Sequence, residues 1–321
     1  LMAKRVVLLT GAAGFIGSHT AELLLARGDQ VVGLDNFNDY YSPQLKRKNA
    51  ADLATYPNFE LVSGDVRDAR LIASLFARYR FNSVIHLAAM AGVRSSVEDP
   101  KLYFDVNVDG TLHLLEAARK NGNPHFVFAS TSSAYGRTER IPFVETDRAD
   151  APLAPYPASK RSAELLGHSY HHIYGQNFTA LRFFTVYGPR NRPDMLAHLA
   201  VDACYGKGQL ALYEQGQMWR DWTYVTDIAQ GVVKASDVRL GYEVINIGRG
   251  SPILLKDFVE KVAQECGQPL TWRSRSMPNA DMAKTWANID KARRLLGYEP
   301  QVAPDEGIRN LVAWYRRYYG V

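Results

Sequence analysis

Arg5-Val6-Val7-Leu8-Leu9-Thr10, followed at once by Gly11-Ala12-Ala13-Gly14-Phe15-Ile16-Gly17, is the stretch that decides the fold. The first six residues are a short aliphatic run, as expected of a strand buried on both faces. A helical pattern follows from Ser18 to Arg27 and stops at Gly28. Residues 30–35, Gln-Val-Val-Gly-Leu-Asp, read as a second strand. Strand, glycine-rich turn, helix and strand make a βαβ unit. The glycines permit the tight turn and let the backbone approach a pyrophosphate at a helix N-terminus. Asp35 closes the second strand about 20 residues after the glycines, where a carboxylate accepts from a ribose hydroxyl. That points to NAD. A 2′-phosphate would be repelled by Asp35, and the next basic side chain, Lys46, is remote in sequence.

The alternation continues. Residues 59–62 read as a strand leading into Gly64-Asp65-Val66, and residues 83–87 as another running into Ala88-Ala89-Met90-Ala91-Gly92. Small residues there allow close approach of a cofactor. Two readings of Asp65 stand: a contact to adenine, or the N-cap of a helix over 68–79. His86, inside its strand, reads as a satisfied core histidine. A helix is expected over roughly 100–121, carrying Asn107. Residues 125–129 and 178–184 read as further strands, and a helix opens at Tyr156 and runs to about Gly175. Repeated βαβ units predict an α/β fold, a doubly wound parallel sheet with ligands outside the carboxyl ends of its strands. After Tyr187-Gly188-Pro189 turn residues and charges increase. Residues 1–187 with 222–248 are therefore expected to form the nucleotide-binding domain, and 188–221 with 249–321 a smaller α/β substrate lobe.

Composition narrows the function. The chain has 321 residues and a formal charge of +5, with basic residues scattered rather than run together. No basic stripe with interleaved aromatics and no zinc-finger spacing occurs, so nucleic acid is not the expected partner and a small anion is. Two cysteines, Cys204 and Cys266, are too few for a disulfide framework or a thiolate metal site. His168, His171 and His172 read as a solvated helix face, and no metal is expected. No apolar run is long enough for a bilayer. Asn177-Phe178-Thr179 matches a glycosylation sequon but falls in a strand expected to be buried, and is discounted. The first residues carry no signal-peptide pattern, Leu1 ahead of Met2 reads as a remnant, and the expected location is the cytoplasm.

The chemistry centres on Tyr156-Pro157-Ala158-Ser159-Lys160. A Tyr and a Lys four apart on a helix share one face. A nearby ammonium favours the phenolate and is expected to lower the phenol below its ordinary value of about 10. Such a phenol can take a proton from a sugar hydroxyl and return it. The pattern alone is common; the dinucleotide fingerprint gives it a hydride acceptor.

Taken together, the chain resembles the extended short-chain dehydrogenase/reductases, and among them the UDP-sugar 4-epimerases of the UDP-glucuronate 4-epimerase type. The resemblance spans essentially the whole chain. It rests on Thr10 to Gly17, Asp35-Asn36, Gly64-Asp65-Val66, His86-Leu87-Ala88-Ala89, Ala129 to Gly136, the Tyr156–Lys160 pair and Arg182 to Pro189. Arg192-Pro193-Asp194-Met195 and Arg220-Asp221-Trp222 extend it into the second lobe. It implies a Rossmann-type sheet, tightly bound and recycled NAD, a UDP-uronic acid substrate and a homodimer built on the helices near 100–121 and 157–175. Leu112, Leu115, Leu165 and Leu166 read either as that interface or as core. It implies Tyr156 as acid/base, Lys160 on the nicotinamide ribose, and Thr131 on the reacting sugar hydroxyl. The cofactor set is Gly11, Gly14, Phe15, Ile16, Gly17, Asp35, Asn36, Asp65, Val66, Leu87, Ala88, Ala89 and Asn107, with Tyr156 and Lys160. Arg94, Arg192, Arg220 and Asp281 are implied as substrate contacts, the arginines having surface salt bridges as the alternative. Tyr213 reads as a uracil neighbour or as packing.

Two residues separate the related chemistries. Sugar-nucleotide 4,6-dehydratases carry an Asp and a Glu after the catalytic Thr, and the enzymes that decarboxylate UDP-glucuronate carry a Glu in that segment. Ser132 and Ser133 stand here, and neither hydroxyl is a competent acid/base near neutral pH. The expected activity is interconversion of UDP-glucuronate and UDP-galacturonate. A UDP-hexose 4-epimerase, a UDP-glucuronate decarboxylase and, more remotely, a non-catalytic NAD-binding sensor are the alternatives. A 4-keto uronate is a β-keto acid and loses CO2 when its carboxylate turns perpendicular to the ketone. Thr131, Ser132, Ser133 and Thr185 are expected to hold it otherwise through directional hydrogen bonds. The other reading of the two serines is that they cap a turn. Hexose 4-epimerases of the UDP-galactose type carry an Asn where Thr185 stands.

Overall fold

The opening stretch folds as strand β1 (Val6–Thr10), helix α1 (Phe15–Ala26) and strand β2 (Gln30–Asp35). A computed structural model describes residues 5–138 and 140–321; Leu1 and Met2 lie outside them. Helix α1 starts at Phe15, three residues before the expected Ser18, with Gly14 as its N-cap. The glycine motif is therefore the first turn of the helix as well as the bend before it. The alternation continues through α2 (Pro43–Leu53), β3 (Phe59–Ser63), α3 (Ala69–Arg78) and β4 (Ser83–His86). Next come α4 (Ser95–Glu98), α5 (Pro100–Phe104), α6 (Gly110–Lys120), β5 (His125–Thr131), α7 (Pro155–Tyr174) and β6 (Phe178–Phe183). Residues 105–109 join α5 to α6 as a π-helical turn, so the helix expected over 100–121 is continuous but locally widened.

Beyond β6 run β7 (Thr185–Tyr187), α8 (Leu196–Cys204), β8 (Leu210–Tyr213), β9 (Trp219–Arg220), β10 (Trp222–Tyr224), α9 (Val225–Asp237) and β11 (Tyr242–Ile247). The chain ends with β12 (Ile253–Leu254), α10 (Leu255–Cys266), β13 (Trp272–Arg275), α11 (Asp290–Leu296) and α12 (Pro304–Tyr319).

The main sheet has seven strands in the order β3-β2-β1-β4-β5-β6-β11, every pair parallel. Alternate side chains feed opposite faces. Val7, Leu9, Ile85, Val127 and Leu181 join one apolar cluster with α1 and α9, while Leu8, Val84, Phe126, Phe128 and Ala180 join a second with α3, α6 and α7. This two-sided burial is why the strands read as unbroken apolar runs. The strand order reverses between β1 and β4, which opens a crevice at their carboxyl ends.

A third cluster lies outside the sheet and is drawn from residues 187–315, with Trp222 and Phe258 stacked 3.7 Å apart. Asp221 ties this part to the rest. Its wholly buried carboxylate accepts from the backbone N–H groups of Arg249, Gly250 and Ala287 at 2.8–3.0 Å. Phe178 of the sequon is wholly buried, in keeping with discounting it. His86 is a core histidine, held between Thr10 Oγ1 and Thr111 Oγ1, and burial pushes its pKa down to about 3.

Candidate active site

The crevice holds a cleft with about 310 Å³ of accessible space. Its walls carry Gly11, Gly14, Phe15, Ile16, Gly17, Asp35, Asn36, Asp65, Val66, Leu87, Ala88, Ala89, Thr131, Tyr156, Lys160, Thr185 and Arg192. The sequence reading named all of these, from eight separate stretches of chain.

The dinucleotide end fits the group implied for it. A Cβ at Gly11 would lie 2.8 Å from the Ala88 nitrogen, and one at Gly17 only 1.9 Å from the Gly11 carbonyl oxygen, so the turn closes only with glycine. No side chain caps α1, which leaves its first N–H groups turned toward the cleft for a diphosphate. At the end of β2, Asp35 accepts from Ala13 N at 3.1 Å and from Phe37 N at 2.9 Å. Asp65 accepts from Arg67 and from Asn36 Nδ2 (2.9 Å); the Arg67 hydrogen bond holds its carboxyl down at about 2. The cap of α3 is Asp68, which accepts from Arg70 N and Leu71 N, so the capping alternative for Asp65 is removed. Lys46 is a correction. Remote in sequence, it folds back through α2 to set Nζ 3.8 Å from Asp35 Oδ1 on the cleft wall. Asn107 is a second. It is wholly buried and not on the cleft wall, its amide spent on Met90 N, Met90 O and Ser159 Oγ, so it shapes the turn after β4.

At the other end β5 runs two residues further than expected and carries Thr131 to its tip. Tyr156 and Lys160 lie on the first turns of α7. The expected lowering of Tyr156 by Lys160 is not what the buried geometry gives. Burial raises the phenol; a hydrogen bond from Thr131 and the charge of Arg192 pull against it. Lys160 is itself pushed down to about 7 by burial, opposed by the Glu164 carboxylate. Lys160 is enclosed and Tyr156 half-buried, and desolvation disfavours the charged form of each. Thr131 Oγ1 also accepts from Ser133 N at 3.2 Å, which closes the turn Ser132–Tyr135. Ser132 and Ser133 are buried and half-buried beside the cleft rather than on its wall.

The remaining candidates form a group of their own. Arg220 donates to Asp281 Oδ1 at 2.9 Å, Arg94 lies 3.7 Å from the other oxygen of the same carboxylate, and the Arg94 guanidinium sits 4.4 Å over the Tyr213 ring. Burial lowers the Arg220 pKa, with Asp281 opposing. The sequence reading missed Tyr40, Tyr41 and Lys46 on the cleft wall. Only the pair of aromatics after Asp35-Asn36 hinted at them. A buried cluster also went unread. Glu164 Oε1 and Oε2 accept from Arg182 Nε and Nη2 (2.9 and 2.7 Å), Arg161 Nη1 (2.9 Å) and Ser130 Oγ (2.5 Å).

Fold and site together define a dinucleotide-binding protein with a Tyr–Lys pair on the wall of its cleft. A family profile described as GDP-mannose 4,6 dehydratase matches residues 8–311. The UDP-glucuronate 4-epimerase of Thermodesulfobacterium geofontis is 41% identical over 96% of this chain and 95% of its own. UDP-glucuronate 4-epimerase 4 of Arabidopsis thaliana is 41% identical over 98% of this chain and 76% of its own. The chain belongs to the extended short-chain dehydrogenase/reductase family that this profile describes. The Bacillus cereus UDP-glucuronic acid 4-epimerase, solved with UDP-glucuronic acid and NAD, superposes with a TM-score of 0.91 at 34% identity, covering 98% of this chain and all of that one. A Streptomyces venezuelae dTDP-glucose 4,6-dehydratase reaches the same TM-score at 30% identity, covering 98% of each chain. The fold is thus common to epimerase and dehydratase, and the distinction rests on side chains.

Proposed function

We propose that the protein is a UDP-glucuronate 4-epimerase. One observation carries the reading: Thr131, Tyr156 and Lys160 line one wall of a dinucleotide cleft, and the two side chains after Thr131 are hydroxyls rather than carboxylic acids. The residues that would hold NAD are the Gly11–Gly17 turn for the diphosphate, Asp35 and Asn36 for the ribose, Asp65 and Val66 for the adenine, and Leu87 to Ala89 for the nicotinamide side. When bound, NAD supplies the acceptor for the hydride of sugar C4 and gives it back. Tyr156 takes the proton of the C4 hydroxyl and later returns it. Thr131 steadies the oxygen on which that proton is exchanged. Lys160, one turn on, holds the nicotinamide ribose and favours the phenolate once both groups are engaged. Arg192 and Thr185 border the sugar, and Arg94, Arg220 and Asp281 are assigned to the UDP end. Thr131 and Thr185, which line the cleft, are assigned to keep the carboxylate of the keto-sugar out of the orientation that releases CO2, and Ser132 and Ser133 join them only if the bound sugar reaches past the wall.

The substrate lobe is proposed as residues 188–221 with 249–321, which supply most of the third apolar cluster, while Ala287, Ile289, Ala292, Leu296 and Tyr298 of the same range pack in the cluster of the main sheet. A homodimer through α5, α6 and α7 is part of the reading. Phe104 and Leu165 are exposed there, whereas Leu115 is core and Leu166 packs against it. Cys204 and Cys266 are free thiols, which fits the proposed cytoplasmic location. Incubation with UDP-glucuronate and separation of the products tests the function. UDP-galacturonate without CO2 is the expected result. A UDP-pentose, or inertness with the uronate alongside turnover of UDP-glucose, overturns it.

A further inference from the structure

Arg192 is the only arginine on the cleft wall among the described residues. Its Nε and one terminal nitrogen are committed to Asp194 at 3.0 and 2.6 Å, and its guanidinium lies 5.2 Å from the centre of the Tyr40 ring. A fork bound on one side and stacked on a ring has one orientation left. The Tyr40 hydroxyl is not free either. It lies 3.0 Å from Ser95 Oγ, which is 2.6 Å from the Tyr103 hydroxyl, which donates to Ala91 O at 3.2 Å. Tyr103 is almost wholly buried and meets the Tyr156 ring edge to face at 6.1 Å.

The three hydroxyls crowd on Gly92. A Cβ there would sit 2.5 Å from the Tyr40 oxygen and 2.6 Å from Ser95 Oγ, and the backbone φ of +125° is itself one that glycine alone adopts readily. The glycine that follows β4 is thus part of how the loop after β2 is held. Tyr40 stands where the two loops meet, with its ring on Arg192 and its hydroxyl on a chain that ends against the acid/base.

We propose that Tyr40 is a positioning residue for the reaction: its ring fixes the plane of Arg192 on the substrate side of the cleft, and its hydroxyl couples that placement through Ser95 and Tyr103 to the Tyr156 ring. The inference rests on the UDP-glucuronate 4-epimerase reading. It adds a residue outside the Tyr–Lys pair and the hydroxyl cradle to those that decide whether the carboxylate survives.

The test uses the full-length holoenzyme with UDP-glucuronate. kcat, KM and CO2 released per epimerisation are measured for the wild type, Tyr40→Leu, Tyr40→Phe, Ser95→Ala, Arg192→Met and the double variant Tyr40→Leu/Arg192→Met. Tyr40→Leu is expected to lower kcat roughly ten- to thirty-fold, as loss of a desolvated cation–π contact implies, and to raise the CO2 fraction. Tyr40→Phe keeps the ring and is expected to restore the CO2 fraction while regaining only part of kcat, with Ser95→Ala matching it. The double variant should be no worse than Arg192→Met alone. Additive losses in the double variant, or an unchanged CO2 fraction and kcat in Tyr40→Leu, overturn the proposal. Should Tyr40→Leu fail to fold, Tyr40→Phe and Ser95→Ala still decide it: wild-type kcat in both removes the hydroxyl chain. If the wild type does not epimerise the uronate, the functional reading has failed. The same double-variant comparison, read on kcat with the sugar it does turn over, then decides Tyr40 separately.

Discussion

Tyr156 and Lys160 are the residues proposed to carry the chemistry, and their surroundings set the terms. Replacing Tyr156 by Phe removes the proton carrier and leaves the cleft's shape. NAD binding is expected to persist while turnover falls by roughly 10²–10⁴-fold, measured by cofactor titration and product separation. Lys160 gives a pH signature. Its folded pKa, lowered by burial to about 7, lies below the unfolded value of 10.5. Between those limits the unfolded chain holds more protons, so the lysine's contribution to stability rises with pH across the window and is at its least below 7. The difference in unfolding free energy between wild type and Lys160→Met should therefore climb by about 1 kcal/mol per pH unit from 7 toward 10. At the next residues, Ser133→Glu and Ser133→Ala are both expected to increase CO2 released per epimerisation. Unchanged partitioning in both would leave the serines only their turn-closing role.

At the scale of elements, α7 is fastened to the sheet by charge. Glu164 is wholly buried and holds Arg182 of β6 and Ser130 of β5, the strand whose tip is Thr131. Glu164→Gln leaves the Arg182 guanidinium buried without its counter-ion. A destabilisation of about 3–5 kcal/mol is expected in denaturant unfolding, with partial recovery when Arg182 is changed to Met as well. Most elements of the main sheet as far as β6 were legible in the sequence through local signatures: apolar runs for strands buried twice over, glycines for the turn, a Pro-containing start for α7; α2 and the separate elements after Tyr187 were not read. The widened turn at 105–109 was not. It is followed by Gly110, where a Cβ would lie 2.7 Å from Val66 Cγ2, a close approach between residues far apart in sequence. For the same reason Asn107 was misassigned, since nothing in the sequence says that Met90 consumes its amide.

For the whole molecule, the reading located most of the cleft because the carboxyl ends of parallel strands converge whatever the details. It failed where chain segments fold over the crevice. Tyr40, Tyr41 and Lys46 lie in such a segment, and no periodicity marks them. The dimer proposal is tested at this scale. Leu165 is 52% exposed on α7 and should be covered in the assembly. Leu165→Glu is expected to shift sedimentation from dimer to monomer with little change in the melting temperature of the subunit.

The ion pair between Asp35 and Lys46 has a consequence for cofactor economy in the cell. If Asp35 meets the adenosine ribose as proposed, its carboxylate is what keeps the phosphorylated dinucleotide used for biosynthetic reduction out of this pocket, since the Lys46 ammonium lies only 3.8 Å from it. Asp35→Ser would strip away the repulsion and leave Lys46 held only by its hydrogen bond to Asn38 Oδ1 at 2.9 Å. Exchange of NADH for NADPH in fluorescence titrations of that variant would show the two coenzyme pools separated here by the charge of one side chain.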